Sequence, residues 1–338
     1  MKLNQNTTIR ELYAEPLFAG MRGNWVSSVG DQWAAQRMDC SLRALHEQQP
    51  TWDAEDMLVG LRRVERAARD GAPLVFPVYT EEEREASPDK AQAQLIFLPA
   101  PEEKRAGFAL LLSGGGYGAV CHLAEAIPAA AQLNELGISC FCLSYRTAAA
   151  ESFVSGLLPK PLEDVAAALR LIRREHARFG VDPGCYLLGG FSAGGYLAAL
   201  WGTAHLGARS YGLPQPELLM LAYPLTNTAY LPDNPLSAYL KTGLYGAGWT
   251  AGQEERYATD RHIDTAYPPV YLAAAGDDDT IPPADTAAFE AALRAAGRPC
   301  VFELGAHGGH GFGLGSRTAL RGWIGRAAAF WEEQHGER

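Results

Sequence analysis

The sequence predicts an α/β fold, a mostly parallel central sheet with helices on both faces, preceded by a helical extension over residues 1–70. Three observations predict it. From about residue 71 onward, short and wholly apolar strands alternate with segments of helical periodicity, the pattern of a parallel sheet covered on both sides. Before that point the hydrophobic spacing is helical or irregular. Of the 338 residues, 47% are hydrophobic and 20% charged, which supplies a sizeable core and excludes a disordered chain.

The elements follow in order. The best helix of the extension runs over 53–70: Asp53 caps it, Met57, Leu58, Leu61 and Val64 form one apolar stripe, and Gly71 stops it. Trp25, Trp33 and Trp52 fall in the same segment, so it packs on something. Residues 74–79 and 94–98 read as an antiparallel entry pair of strands, separated by the acidic stretch 81–89. The alternation then runs strand 108–112, helix 123–136, strand 138–143, helix 161–179 with proline in its first turn, strand 185–189 and helix 193–204. Strands 218–223 and 270–275, helix 284–296, strand 300–304 and helix 316–333 complete a domain spanning 71–338. Residues 225–268 are long for a connection and rich in Pro, Asn, Gly and Tyr, so they read as a small cap or a binding loop.

Charge and punctuation exclude several functions. Lys+Arg total 29 against 39 Asp+Glu, a net charge of −10 that argues against nucleic acid or an anionic membrane as partner. The first residues carry no apolar signal region, and no apolar run approaches the ~20 residues of a membrane helix, so a cytoplasmic location is expected. Cys40, Cys121, Cys140, Cys142, Cys185 and Cys300 fit neither a disulfide framework nor a zinc pattern and read as free thiols. No metal or cofactor is implied.

Gly190-Phe191-Ser192-Ala193-Gly194 matches Gly-x-Ser-x-Gly. Alone this is weak, since ~0.15 such matches arise by chance at this glycine and serine content. Its setting, an apolar strand before and a helix with Leu197, Leu200 and Trp201 after, is that of a nucleophile elbow. A serine hydroxyl needs a base. Of the histidines beyond Ser192, His205 falls in the following helix and His335 near the chain end. His307 and His310 share a Gly-rich loop after the last strand. His310 is favoured because Gly309 and Gly311 flank it. The acid is sought in Asp277-Asp278-Asp279 after strand 270–275. Asp278 is chosen because Ile281 and Pro282 then fall three and four residues on, with Asp279 second. Ser113-Gly114-Gly115-Gly116-Tyr117 follows an apolar strand, and the N–H groups of Gly115, Gly116 and Ala193 are the expected oxyanion donors. No Lys-Ser/Thr follows it, which excludes a P-loop, and a dinucleotide fingerprint is missing too. Tyr117, Phe191 and Tyr223, with Tyr145 and Trp249 behind them, are candidates for lining an acyl or alcohol pocket. Arg146 reads as a structural ion pair.

Together these residues resemble the α/β-hydrolase superfamily, and within it the acetyl-xylan-esterase and feruloyl-esterase-like serine esterases. The resemblance rests on 113–117, Leu143-Ser144-Tyr145-Arg146, residues 159–164, residues 190–195, Tyr267-Pro268-Pro269-Val270, the acidic turn and Gly308-Gly309-His310-Gly311-Phe312, over about 72–333. It implies Ser192 as nucleophile, His310 as base and Asp278 as acid, acting on a small-molecule ester with a short acyl group such as an acetylated sugar. Two features depart from the pattern: Ser113 stands where hormone-sensitive-lipase-like relatives carry histidine, and the triple Asp blurs the acid's register. The first 70 residues fall outside the resemblance and are expected to cover the sheet, contribute to the pocket or form a homo-oligomer contact. A serine peptidase of the same fold and a non-catalytic binding module are the competing readings.

Overall fold

Eight strands form one sheet in the order β1-β2-β4-β3-β5-β6-β7-β8. The computed structural model describes residues 2–102 and 106–336, with side chains through residue 334. β1 (Val75–Pro77) and β2 (Gln94–Leu98) are the antiparallel entry pair, and β2 also runs antiparallel to β4 (Ser139–Ser144). From there β3 (Phe108–Leu112), β5 (Tyr186–Phe191), β6 (Leu218–Ala222), β7 (Val270–Ala275) and β8 (Cys300–Gly305) are parallel to their neighbours. Strands β3 to β7 are buried throughout, and apolar but for Ser139 and Ser144 of β4, because helices cover both faces. The order reverses around β3, so the C-terminal ends of β3 and β5 open side by side, the usual place for a site in such sheets.

One face carries the helices Lys160–Arg174, Ser192–Gly202 and Pro283–Ala295. The other carries Ala126–Glu135, Trp323–Gly336 and the N-terminal segment. The extension's main helix, Ala54–Arg69, has its Asp53 carboxylate accepting from the N–H groups of Glu55 and Asp56, as its capping position demands. Its buried stripe packs on Ala126–Glu135, and Gly60 faces Ile127 and Pro128 so closely that a Cβ there would stand 2.9 Å from Ile127. Arg63, buried between the two helices, donates from Nε to Asn134 Oδ1 at 2.6 Å. Upstream, residues 25–27 pair with 120–123 through Ser27 N to Val120 O (3.0 Å), Val120 N to Ser27 O (2.7 Å) and Leu123 N to Trp25 O (2.7 Å). The extension is thereby stitched to the segment that follows the Gly-Gly-Gly loop.

Several boundaries differ from expectation. β5 runs to Phe191, because Gly189 and Gly190 pair with Leu111 and Leu112 before the chain turns. The last helix starts at Trp323 rather than 316, since Ser316 Oγ donates to Asp56 Oδ1 at 2.7 Å and Arg317 pairs with Asp53. The acidic stretch folds its own short helix, Glu81–Ala86. The segment 225–268 holds the helices Pro235–Tyr245 and Ala251–Tyr257. None of the six cysteines is joined in a disulfide. No helix among the described residues is long and apolar enough to cross a membrane.

Candidate active site

Ser192 sits where β5 turns into the Ser192–Gly202 helix. Its φ of 50° lies in the left-handed region, strain that residues bearing a Cβ seldom tolerate. The turn is narrow enough to exclude side chains beside it. A Cβ on Gly190 would stand 2.5 Å from the Gly194 carbonyl, and one on Gly194 would strike the carbonyls of Leu112 and Ser113 at the end of β3. Here the spacing of the two glycines is a steric requirement.

The serine Oγ lies 2.8 Å from His310 Nε2. On the far side of the ring, His310 Nδ1 lies 2.8 Å from Asp278 Oδ2. The other carboxylate oxygen of Asp278 accepts from the N–H groups of Thr280 (2.9 Å) and Ile281 (2.8 Å). A carboxylate facing Nδ1 sets the proton on that nitrogen, which leaves Nε2 free to accept from the serine hydroxyl. The Asp278 side chain is 3% exposed and that of His310 16%.

The three consecutive aspartates hold three different positions. Asp277 accepts at Oδ1 from the N–H groups of Gly308 and Gly309, both at 2.8 Å, and so fixes the backbone that presents His310. Those amides and His307 hold its carboxyl below the usual range. Asp279 is exposed and, among the described residues, meets only the Thr280 hydroxyl, at 3.2 Å. His307, whose side chain is 89% exposed, turns to Asp277 and away from Ser192.

Gly115 and Gly116 line the cleft beside Ser192. Their N–H groups find no acceptor among the described residues, and Gly115 has a φ of 127° that glycine alone adopts readily. Ala193 lies in the first turn of its helix, where N–H groups have no partner within the helix. Gly115, Gly116 and Ser192 line the same opening, and the positive end of the helix dipole lies at Ser192. Ser113, at the head of the loop, belongs to a buried relay. Its Oγ meets His122 Nδ1 at 2.9 Å, His122 Nε2 meets Ser144 Oγ at 3.1 Å, and Ser144 donates to Asn24 Oδ1 at 2.9 Å. Burial lowers the His122 pKa to about 3, so the ring is neutral.

The pocket aromatics stand elsewhere than expected. Tyr117, Phe191 and Tyr223 are all buried, and none lines the cleft. Tyr117 packs in the core with its ring 5.9 Å from Tyr145, Phe191 packs 6.1 Å from Trp323, and Trp249 lies beside Lys241 in the 225–268 segment. Large rings beside a sheet gain more from burial than a shallow cleft can offer. Tyr223 supports the site from beneath: its ring is 5.1 Å from that of His310, and its hydroxyl donates to Glu125 Oε1 at 3.0 Å. Arg146 is buried against Asp164 at 2.9 Å and Glu163 at 2.8 Å, the structural ion pair expected of it.

Two groups of residues escaped the sequence reading. Glu125 accepts from Gly114 N at 2.5 Å, and burial raises its carboxyl to about 7. Its signal was a single acidic residue inside the apolar run Leu123-Ala124-Glu125-Ala126-Ile127. The second group is the cleft's outer wall. The opening holds about 370 Å³, and Trp33, Arg37, Leu45, Gln48, Gln49 and Trp52 of the extension line it together with Ser192 and His310. None of its lining residues comes from 225–268. A larger cavity of about 820 Å³, between β1 and the Lys160–Arg174 helix, shares no residue with it.

A parallel sheet with a strained serine at the end of β5, a histidine after β8 and an aspartate after β7 defines an α/β hydrolase. The chain belongs to the alpha/beta hydrolase fold family, whose profile matches residues 110–314, more than half of its length. Among individual proteins it is similar to the acetylxylan esterase of Xylanibacter ruminicola, 28% identical over 234 residues that make up 68% of this chain and 45% of that one. It is also similar to endo-1,4-beta-xylanase B of Butyrivibrio fibrisolvens, 27% identical over 223 residues, 64% of this chain and 34% of that one. The chain thus spans less than half the length of either curated relative. Among solved structures, the acetyl ester-xyloside bifunctional hydrolase of Caldicellulosiruptor lactoaceticus superposes with a TM-score of 0.65 at 26% identity, over 77% of this chain and 95% of that one.

Proposed function

We propose that the chain is a serine carboxylic-ester hydrolase acting through an acyl-enzyme on short-chain, acetyl-like esters of carbohydrates. The carrying observation is the unbroken relay from Asp278 through His310 to the Ser192 hydroxyl, opening on a cleft beside unpaired backbone donors. In the first step His310 Nε2 takes the serine proton as Oγ attacks the ester carbonyl. The oxygen of the tetrahedral intermediate becomes an anion held by the N–H groups of Gly115, Gly116 and Ala193, a loss of ~3 kcal/mol for each such donor removed. His310 then passes its proton to the departing alcohol. Water, activated by the same imidazole, hydrolyses the acyl-enzyme and regenerates the hydroxyl. Nucleophile, base and anion donors all come from the chain, so the reaction as written draws on no metal or cofactor.

The acetyl preference is supported by similarity to an acetylxylan esterase and to an acetyl ester-xyloside hydrolase. The test is Ser192→Ala. It should abolish p-nitrophenyl acetate hydrolysis and labelling by a fluorophosphonate while leaving the thermal melt in place. Persistent turnover in a folded variant would sink the proposal.

A further inference from the structure

We propose that the outer wall of the cleft is a subsite for an acidic sugar, with the ring stacked on the Trp33–Trp52 pair and its carboxylate paired with Arg37. This rests on the esterase reading of the same site and narrows its substrate to acetylated sugars that bear a carboxylate.

The aromatic part comes first. Trp33 and Trp52 lie 6.1 Å apart, tilted by 35°, and both line the cleft half-exposed. Half-exposed indoles at a catalytic opening offer flat apolar faces, and the C–H face of a pyranose is a fitting partner for such a surface. Gln48 and Gln49, exposed beside them, donate from their side-chain amides to Cys40 Sγ at 3.8 Å and Thr51 Oγ1 at 3.1 Å, which leaves their amide oxygens as acceptors for ring hydroxyls.

Arg37 adds the charge. It is the only arginine or lysine among the described lining residues. Its guanidinium stands 5.0 Å from the centre of the Trp33 ring, and Nη1 makes only long contacts, 3.5 Å to Trp33 O and 3.4 Å to Gln36 Oε1. No carboxylate pairs with it among the described residues. This chain has ten more acidic than basic side chains and pairs Arg146, Arg209 and Arg326 with carboxylates. A pre-positioned cation left unpaired at the mouth of a catalytic cleft suits a ligand anion, which a guanidinium binds in a forked geometry. The one carboxyl of the cleft lining, Glu125, is already engaged by Gly114 and Tyr223 and does not compete for it. All these wall residues precede the region matched by the family profile, so the preference belongs to this chain's own extension.

The experiment compares two acetylated methyl glycosides of the same ring, a glucuronoside and the glucoside that carries CH2OH in place of the carboxylate. With the full chain at about 50 mM salt, where screening is weak, kcat/KM should favour the acid about tenfold. That preference should shrink as salt rises. Arg37→Gln should bring the ratio close to one, and Arg37→Lys should keep part of it. Arg37 has no ion pair among the described residues to lose, and a melting curve checks that the variants fold. A ratio at or below one in the parent protein, or one unchanged in Arg37→Gln, overturns the subsite. So does failure to cleave either glycoside while p-nitrophenyl acetate is turned over, and the esterase reading then survives. Loss of p-nitrophenyl acetate turnover and of fluorophosphonate labelling in the parent protein removes both.

Discussion

Replacing Asp278 with asparagine keeps the shape of the acid and tests its charge. One oxygen of Asp278 already accepts from the N–H groups of Thr280 and Ile281 at 2.8–2.9 Å. In Asp278→Asn the amide oxygen must stay on that side, because its NH2 there would face two donors at a cost of ~1–3 kcal/mol each. The NH2 is then turned toward His310 Nδ1. A donor facing Nδ1 pushes the imidazole proton to Nε2, which faces Ser192 and can no longer accept from it. Restoring the productive tautomer requires breaking both backbone bonds, a total of ~2–6 kcal/mol, or roughly 30-fold to 10⁴-fold in rate. The assay is kcat for p-nitrophenyl acetate near neutral pH, with a thermal melt that should barely move because the backbone contacts persist. Asp279→Asn is the matched control and should stay within about twofold, since its carboxylate is exposed and bonded to the Thr280 hydroxyl rather than to His310. Turnover of Asp278→Asn within threefold of the parent would refute the assignment of the acid and the tautomer argument with it.

Two further outcomes follow from buried groups. Burial holds Glu125 at about 7 against an ordinary 4.5, so the native state binds the extra proton between these values and stability falls as pH rises through that window. Glu125→Gln escapes that loss. Urea melts at pH 5 and pH 8 should therefore show the parent losing on the order of 3 kcal/mol relative to the variant, and parallel stabilities would contradict it. Asp285, also raised to about 7, is common to both proteins and cancels. Gly194→Ala drives a Cβ into the carbonyls of Leu112 and Ser113 and should cost at least ~3 kcal/mol. Gly184→Ala, whose Cβ would lie 3.4 Å from the Asp182 side chain, should move the melting temperature little. Equal melting of the two variants would show that the elbow relaxes.

How much of this was legible in the sequence depends on which interaction fixed each part. Strands 94–98, 108–112 and 270–275 fall where their apolar runs end, because burial on both faces leaves no other reading. Ser192, His310 and Asp278 were legible because each follows a strand end, and parallel connectivity brings those ends to one edge. Gly190 hid the end of β5, since local propensity assigns it to a turn while Leu112 of β3 keeps it in the ladder. Tyr117 and Tyr223 were misplaced for a related reason. Both adopt positive φ, 58° and 38°, which redirects the ring, and no local pattern announces that. The wall of the cleft was least legible. The tryptophans signalled packing, but whether they meet the catalytic edge or the far end of the sheet is set by pairing of residues 25–27 with 120–123, a contact across nearly a hundred residues.

The glycine-rich loops explain why so many polar side chains are buried around this site. The loops 113–118 and 308–313 are glycine-rich: one leaves the amides of Gly115 and Gly116 without acceptors among the described residues, and the other curls an imidazole back toward Ser192. Glycine supplies that freedom at the expense of order, and a loop without side chains has little apolar surface to hold it. Hydrogen bonds must supply the constraint instead. Glu125 takes the amide of Gly114, and Tyr223, bonded to Glu125, takes the amide of Gly313, so one buried pair clamps both loops at once. Asp277 clamps the second loop again through Gly308 and Gly309. Ser113, His122 and Ser144 carry the first loop through to Asn24, and so to the extension that walls the cleft. The extension is therefore part of what holds the donor amides in place, and shortening it should disturb the chemistry before it disturbs the sheet.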